Sequence, residues 1–64
     1  MTDDIKNNDD IIRELFFDYI ENIDKFLNTG NKSAGTRARK ALMGMKKIST
    51  DLRKQIQDIK NQAK

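Results

Sequence analysis

Asn28-Thr29-Gly30-Asn31-Lys32-Ser33 is the stretch on which the fold of this 64-residue chain turns. Gly30 suits the left-handed position just past a helix end, which residues carrying a Cβ enter reluctantly. Asn31 or Ser33 can then cap a following helix by accepting a hydrogen bond from a backbone N–H near its start. So short a connection brings the chain back alongside itself, and two helices joined by it become antiparallel neighbours.

Working outward, both flanks read as helices. Pro, Val and Trp are absent, which removes a helix breaker and two strand formers. Before the turn, Ile5, Ile12, Phe16, Tyr19, Ile20, Ile23, Phe26 and Leu27 fall in one stripe at about 100° per residue, with Leu15 at its edge. After it, Ala34, Ala38, Ala41, Leu42, Met45, Ile48, Leu52, Ile56, Ile59 and Ala63 do the same. The expected fold is all-α: one helical-hairpin domain over 1–64, with an acidic helix at 3–28, a turn at 28–31 and a basic helix at 31–62. Pairing about the turn sets Leu27 near Ala34, Ile23 near Ala38, Phe16 near Met45, Ile12 near Ile48 and Ile5 near Ile56.

A two-helix hairpin cannot cover both stripes, and the remainder would stay in water. Two hairpins packed as a four-helix bundle would bury it, so a homodimer is expected. Its core and interface would comprise Ile12, Phe16, Tyr19, Ile23, Phe26, Met45, Ile48, Leu52 and Ile56. Phe17 and Met43 break the pattern by falling among charged residues. Single exposed apolar side chains are common; a second protein contact, or an apolar wedge against a nucleic-acid groove, is the functional alternative. Gly35 and Gly44 lie inside the second helix, where each costs about 1 kcal/mol relative to Ala. Close approach of a neighbour or local bending would account for them.

Charge divides at the same turn. Up to Gly30 eight acidic residues face three basic ones, a balance of −5; beyond it ten basic residues face Asp51 and Asp58, a balance of +8. Such asymmetry points to a polyanionic partner or to assembly of acidic against basic surfaces. Arg39, Lys46, Arg53 and Lys60 form a row spaced by seven, and Lys40, Lys47 and Lys54 form another. Successive charges in a row stand about 10 Å apart along a helix. With Lys32 and Arg37 they suit a phosphate backbone, since each neutralised phosphate releases condensed counterions. Nothing in them suggests base reading. The competing reading makes them solvated flanks paired with acids of the first helix.

Composition excludes other classes. There is no Cys and no His, so disulfides, thiolate or imidazole metal sites and the commonest catalytic base are gone. No phosphate-cradling glycine loop or metal constellation is present, so neither an enzyme, a cofactor nor a small-molecule substrate is expected. Apolar runs are too short to span a bilayer. The basic helix's apolar face carries several alanines and is committed to the hairpin, so no membrane partner is expected. Met1-Thr2-Asp3-Asp4 is unlike a signal peptide, which places the chain in the cytoplasm and makes the Asn31-Lys32-Ser33 sequon a coincidence.

Gly30-Asn31-Lys32-Ser33-Ala34-Gly35-Thr36-Arg37-Ala38-Arg39-Lys40-Ala41 resembles the opening of the second helix in bacterial linker-histone-like proteins. That family is typified by the chlamydial nucleoid-condensing protein, with relatives in phage or viral genomes. The likeness runs on through Lys46-Lys47-Ile48 and Leu52-Arg53-Lys54 to Lys60, and reaches the first helix by pattern alone. It implies a nucleoid-associated, histone-like protein that binds DNA with little sequence preference and helps compact it, with RNA as an alternative polyanion. The chlamydial type also carries a long Lys- and Ala-rich tail that supplies much of its DNA affinity. No such segment lies within these 64 residues, and the first half is acidic. Both departures favour the alternative, a coiled-coil-type self-association or adaptor module.

Overall fold

The computed structural model describes residues 2–62, with side chains over 4–62; Ala63 of the second stripe lies outside the described residues. Two helices, α1 (Thr2–Thr29) and α2 (Lys32–Gln62), pack side by side as an all-α hairpin. The rod measures 51 × 15 × 13 Å. No helix among the described residues is long and apolar enough to cross a membrane.

The reversal occupies Gly30 and Asn31. Gly30 has φ +69°, and its N–H donates to the Phe26 carbonyl at 2.9 Å, closing the end of α1. Asn31 caps α2: its Oδ1 accepts from the Ala34 N–H at 3.1 Å, and its carbonyl accepts from the Gly35 N–H at 3.2 Å. Of the two expected caps Asn31 does the work, and Ser33 is already inside the helix.

The seam between the helices advances by alternating steps of three and four residues. On α1 it runs Ile5, Asn8, Ile12, Leu15, Tyr19, Asn22 and Phe26. On α2 it runs Ala34, Ala38, Ala41, Met45, Ile48, Leu52, Gln55 and Ile59. All are buried or half-buried except Phe26, whose ring lies over Gly35. A Cβ on Gly35 would stand 2.7 Å from the Phe26 ring, and one on Gly44 would stand 3.0 Å from Leu15 Cδ1. Close approach therefore accounts for both helical glycines. Leu15, expected at the stripe's edge, stands in the seam.

The fully buried apolar positions are Ala34, Ala38 and Ala41, all in the turn half of α2. Two seam positions on α1 are polar and each has a partner. Asn22 is 8% exposed, donates to the Asp18 carbonyl at 2.7 Å and accepts from Arg37 Nε at 2.8 Å. Asn8 Nδ2 donates to Gln55 Oε1 at 3.0 Å. Buried polar groups without partners would be costly, and among the described residues none is left unsatisfied.

In two antiparallel right-handed helices, the residue following each seam position turns to one side of the pair, and the residue preceding it turns to the other. Phe16, Ile20, Ile23 and Leu27 of α1 therefore share a side with Leu42 and Ile56 of α2; we call it the open face. Phe16 is 51% and Leu27 71% exposed, and Ile20, Leu42 and Ile56 are exposed too. The broad apolar stripe of each helix thus serves two surfaces. Ile12, Tyr19, Ile23, Met45, Ile48 and Leu52 are half-buried between the helices, whereas Phe16, Phe26 and Ile56 remain exposed in the single hairpin. Phe16 is not packed into the seam as the pairing with Met45 requires, because Leu15 and Tyr19 occupy that line.

Candidate nucleic-acid interface

The cations of α2 come as three consecutive pairs, Arg39-Lys40, Lys46-Lys47 and Arg53-Lys54, each seven residues after the last. The first member of each follows a seam residue and the second precedes one. Each pair therefore straddles the back of α2, the side away from α1. Along that back run Thr36, Met43, Thr50 and Gln57, with Lys32 at one end and Lys60 towards the other. Asp51 and Asp58 both precede seam residues, so they lie towards the polar side of the hairpin and leave the back without acid.

Lys32, Arg37, Arg39, Lys40, Lys46, Lys47, Arg53, Lys54 and Lys60 are all exposed. The described ion pairs are Arg13 with Asp9 at 3.0 Å and Lys25 with Glu21 at 3.4 Å, both within α1. Among the described residues no salt bridge joins α1 to α2, so the hairpin itself does not pair the cations of α2 with its acidic helix. Surface pairs of that kind contribute at most about 1 kcal/mol each and would not in any case hold Lys or Arg against phosphate. Arg37 stands apart from the other eight. Its Nε is committed to Asn22 at 2.8 Å, and it precedes Ala38 on the polar side, near Asp18, Lys40 and Leu15.

Met43 is 68% exposed on this basic back, whereas Phe17, 69% exposed, is on α1 and remote from it. Phe17 touches Phe16, with ring centroids 6.5 Å apart. The two outward-facing residues therefore belong to different surfaces. From Arg39 to Lys60 the helix rises about 32 Å, close to one turn of a DNA duplex. A straight row of that length can meet a phosphate strand where it borders a groove, but it offers no convergent set of side chains to a base edge. Spacing alone reveals the rows. The diversion of Arg37 is invisible in the sequence, because Asn22 reads there as one more polar residue.

Among the described residues no group of acidic side chains is arranged to hold a metal ion. The grooves along the hairpin are shallow and open.

A family model described as histone H1-like protein Hc1 matches residues 6–62. The match takes in both helices and the turn, so it extends over the first helix, where the sequence likeness rests on pattern alone. No curated protein and no solved structure gives a match.

Proposed function

This chain belongs to the histone H1-like Hc1 family, and from that premise we propose that it binds the DNA phosphate backbone through the back of α2, with little sequence preference, and helps compact DNA. The family is one of DNA-packaging proteins rather than of enzymes, which fits a nucleoid location. The observation that carries the reading is the acid-free back of α2 with its three exposed basic pairs. Lys32, Arg39, Lys40, Lys46, Lys47, Arg53, Lys54 and Lys60 are the contacts, and Arg37 contributes less because Asn22 holds it.

Duplex binding followed by fluorescence anisotropy tests this. Eight phosphates neutralised per site predict an affinity loss on the order of 10⁴-fold between 50 and 200 mM salt, similar for unrelated sequences. Replacing Arg39, Lys46 and Arg53 by Gln should lower the salt slope by about 3. A slope near zero, or affinities that differ strongly between sequences, would defeat the reading.

A second reading has its own observation. The open face leaves Phe16, Ile20, Leu27, Leu42 and Ile56 exposed, which favours a self-association module, and we propose that the chain forms a homodimer through that face. The two readings share one flank of α2: Arg39, Lys46, Arg53 and Lys60 follow seam residues on the side of the open face, whereas Lys40, Lys47 and Lys54 precede them and stay clear of a dimer formed through that face.

A further inference from the structure

The open face differs along its length. In the turn half α1 gives it Phe16, Ile20, Ile23 and Leu27, an uncharged ridge stepping by four, three and four residues like a coiled-coil seam. The charged residues that α1 turns to this face, Lys6, Asp9 and Arg13, all lie towards the chain ends. On α2 the turn half offers Leu42 and Gly35, the latter under the Phe26 ring, with Arg39 at the edge. Lys46, Ser49, Arg53, Ile56 and Lys60 follow. In the single hairpin no helix covers the ridge.

The surface area calls for a cover. A compact monomer of this mass exposes about 4,200 Å², whereas the hairpin exposes 5258 Å². The excess, about 1,000 Å², is comparable to the 800 Å² or so that each partner buries in a standard interface. A second copy fits because both helices share a centre of symmetry. Along α1 the ridge is symmetric about Glu21 and Asn22. Leu15 lies beside Gly44 and Phe26 beside Gly35, and Asn22 accepts from Arg37. The centre of the ridge is therefore level with Ala38 and Arg39, which is also the midpoint between Gly35 and Leu42.

Resting on the homodimer just proposed, we infer that its two copies are antiparallel and staggered, overlapping only in their turn halves. A two-fold axis at that shared centre, crossing both helices, lays α1 on the partner's α1 and α2 on the partner's α2. Phe16 then meets the partner's Leu27, Ile20 meets the partner's Ile23, and Leu42 meets the Phe26 ring over the partner's Gly35. Arg13 comes level with the end of the partner's α1, whose last turn carries no basic residue and whose carbonyls favour a cation. Lys6, Arg53 and Lys60 lie beyond the partner's turn. The like charges brought near one another are Arg39 with the partner's Arg39 and Glu21 with the partner's Asp24, at the wet rim, where such pairs count for little. Other registers match less well. With both turns at one end, Ile20 faces the partner's Arg39, and Arg13 and Lys6 come level with the partner's Lys46 and Arg53. With full antiparallel overlap, Ile20 and Ile23 slide to the level of the partner's Asp9 and Lys6.

The stagger also shapes the basic surface. The overlap is about 25 Å long, so two rods of 51 Å make one of about 75 Å. Both α2 backs face the same side, with Lys60 and the partner's Lys60 about 65 Å apart along the axis. That is close to two turns of duplex. The dimer therefore lies along one duplex, not between two.

The chain has no cysteine, so spin labels at Asn7→Cys and, separately, Asn28→Cys, both exposed, report the register by dipolar spectroscopy. The staggered dimer predicts about 45–55 Å between Asn7 labels and about 20–35 Å between Asn28 labels. Turns at one end predict about 15–35 Å for both, and full antiparallel overlap predicts about 40 Å or more for Asn28; either result overturns the register. Two exposed positions give a second test by sedimentation. Ile20→Glu, in the ridge, should weaken the dimer at least about 30-fold, whereas Ile56→Glu, outside the overlap, should leave it within about threefold. Equal weakening by both, with helical circular dichroism retained, means that the whole open face is covered and overturns the stagger. Folded monomer in the centrifuge with no dipolar coupling defeats the homodimer and the register with it. The expected distances without duplex binding at low salt support the dimer and defeat only the DNA reading.

Discussion

The half of the hairpin beside the turn and the half beside the chain ends are built on different principles. Near the turn the seam of α2 is Ala34, Ala38 and Ala41, fully buried, with Phe26 over Gly35 and Leu15 over Gly44. Small residues let the backbones approach, and large ones from α1 fill the space, as close packing demands. Towards the open end the seam carries Met45, Ile48, Leu52 and Ile59, none fully buried. There Asn8 and Gln55 pair across it, and Ile5, Leu52 and Ile56 line a groove open to water. Larger side chains have not produced a better core, because a single opposing helix cannot enclose them. Burial here follows how closely the backbones meet, not how apolar the residues are.

The comparison can be broken most directly at Ala38, which is 2% exposed. Ala38→Leu should destabilise the protein by about 2–3 kcal/mol, as overpacking does; urea melts at fixed protein concentration measure it, and an unchanged midpoint would mean the turn half is loosely packed. Next in size is the gradient along α2. Amide exchange should be slowest from Ala38 to Met45 and about 30-fold faster beyond Leu52, a difference of about 2 kcal/mol in local opening. Uniform protection would remove the distinction between the halves.

The two glycines sharpen the comparison. Each gains about 1 kcal/mol of helix propensity on replacement by Ala, but the spaces differ. Gly35→Ala must displace the Phe26 ring, which a new Cβ would meet at 2.7 Å; a net loss of about 1 kcal/mol is expected. Gly44→Ala meets only the flexible end of Leu15, at 3.0 Å, so gain and strain should cancel to within about 0.5 kcal/mol. Equal effects in thermal melts would show that neither contact matters. Smallest in stability is the joint change Asn8→Leu with Gln55→Leu. Replacing both members of a hydrogen-bonded pair by apolar groups is nearly neutral, but it should add larger species in sedimentation, since seam polar pairs restrict register and partner number.

The helices and the reversal were legible because each rests on a local signal: apolar spacing for the helices, Gly30 and Asn31 for the turn. The basic pairs were legible for the same reason. What escaped is instructive at Leu15 and Phe16. An apolar stripe read at a fixed angle merges the seam with the open face, and only the alternating steps of three and four separate them. Asn8 and Asn22 occupy seam positions but are polar, so an apolar reading passes over them, and the capture of Arg37 by Asn22 goes unseen with them. Gly35 and Gly44 showed that something unusual happens there without showing which neighbour causes it.

Because Gly30 and Asn31 complete the reversal by themselves, the pole at the turn carries no chain ends. The first and last described residues, Thr2 and Gln62, both lie at the other pole, on helix axes about 10 Å apart, with α2 reaching about one turn further. Whatever is joined to either end of this chain is therefore tethered at one place, and the hairpin presents the rest of its length, unencumbered, as a spacer of fixed reach.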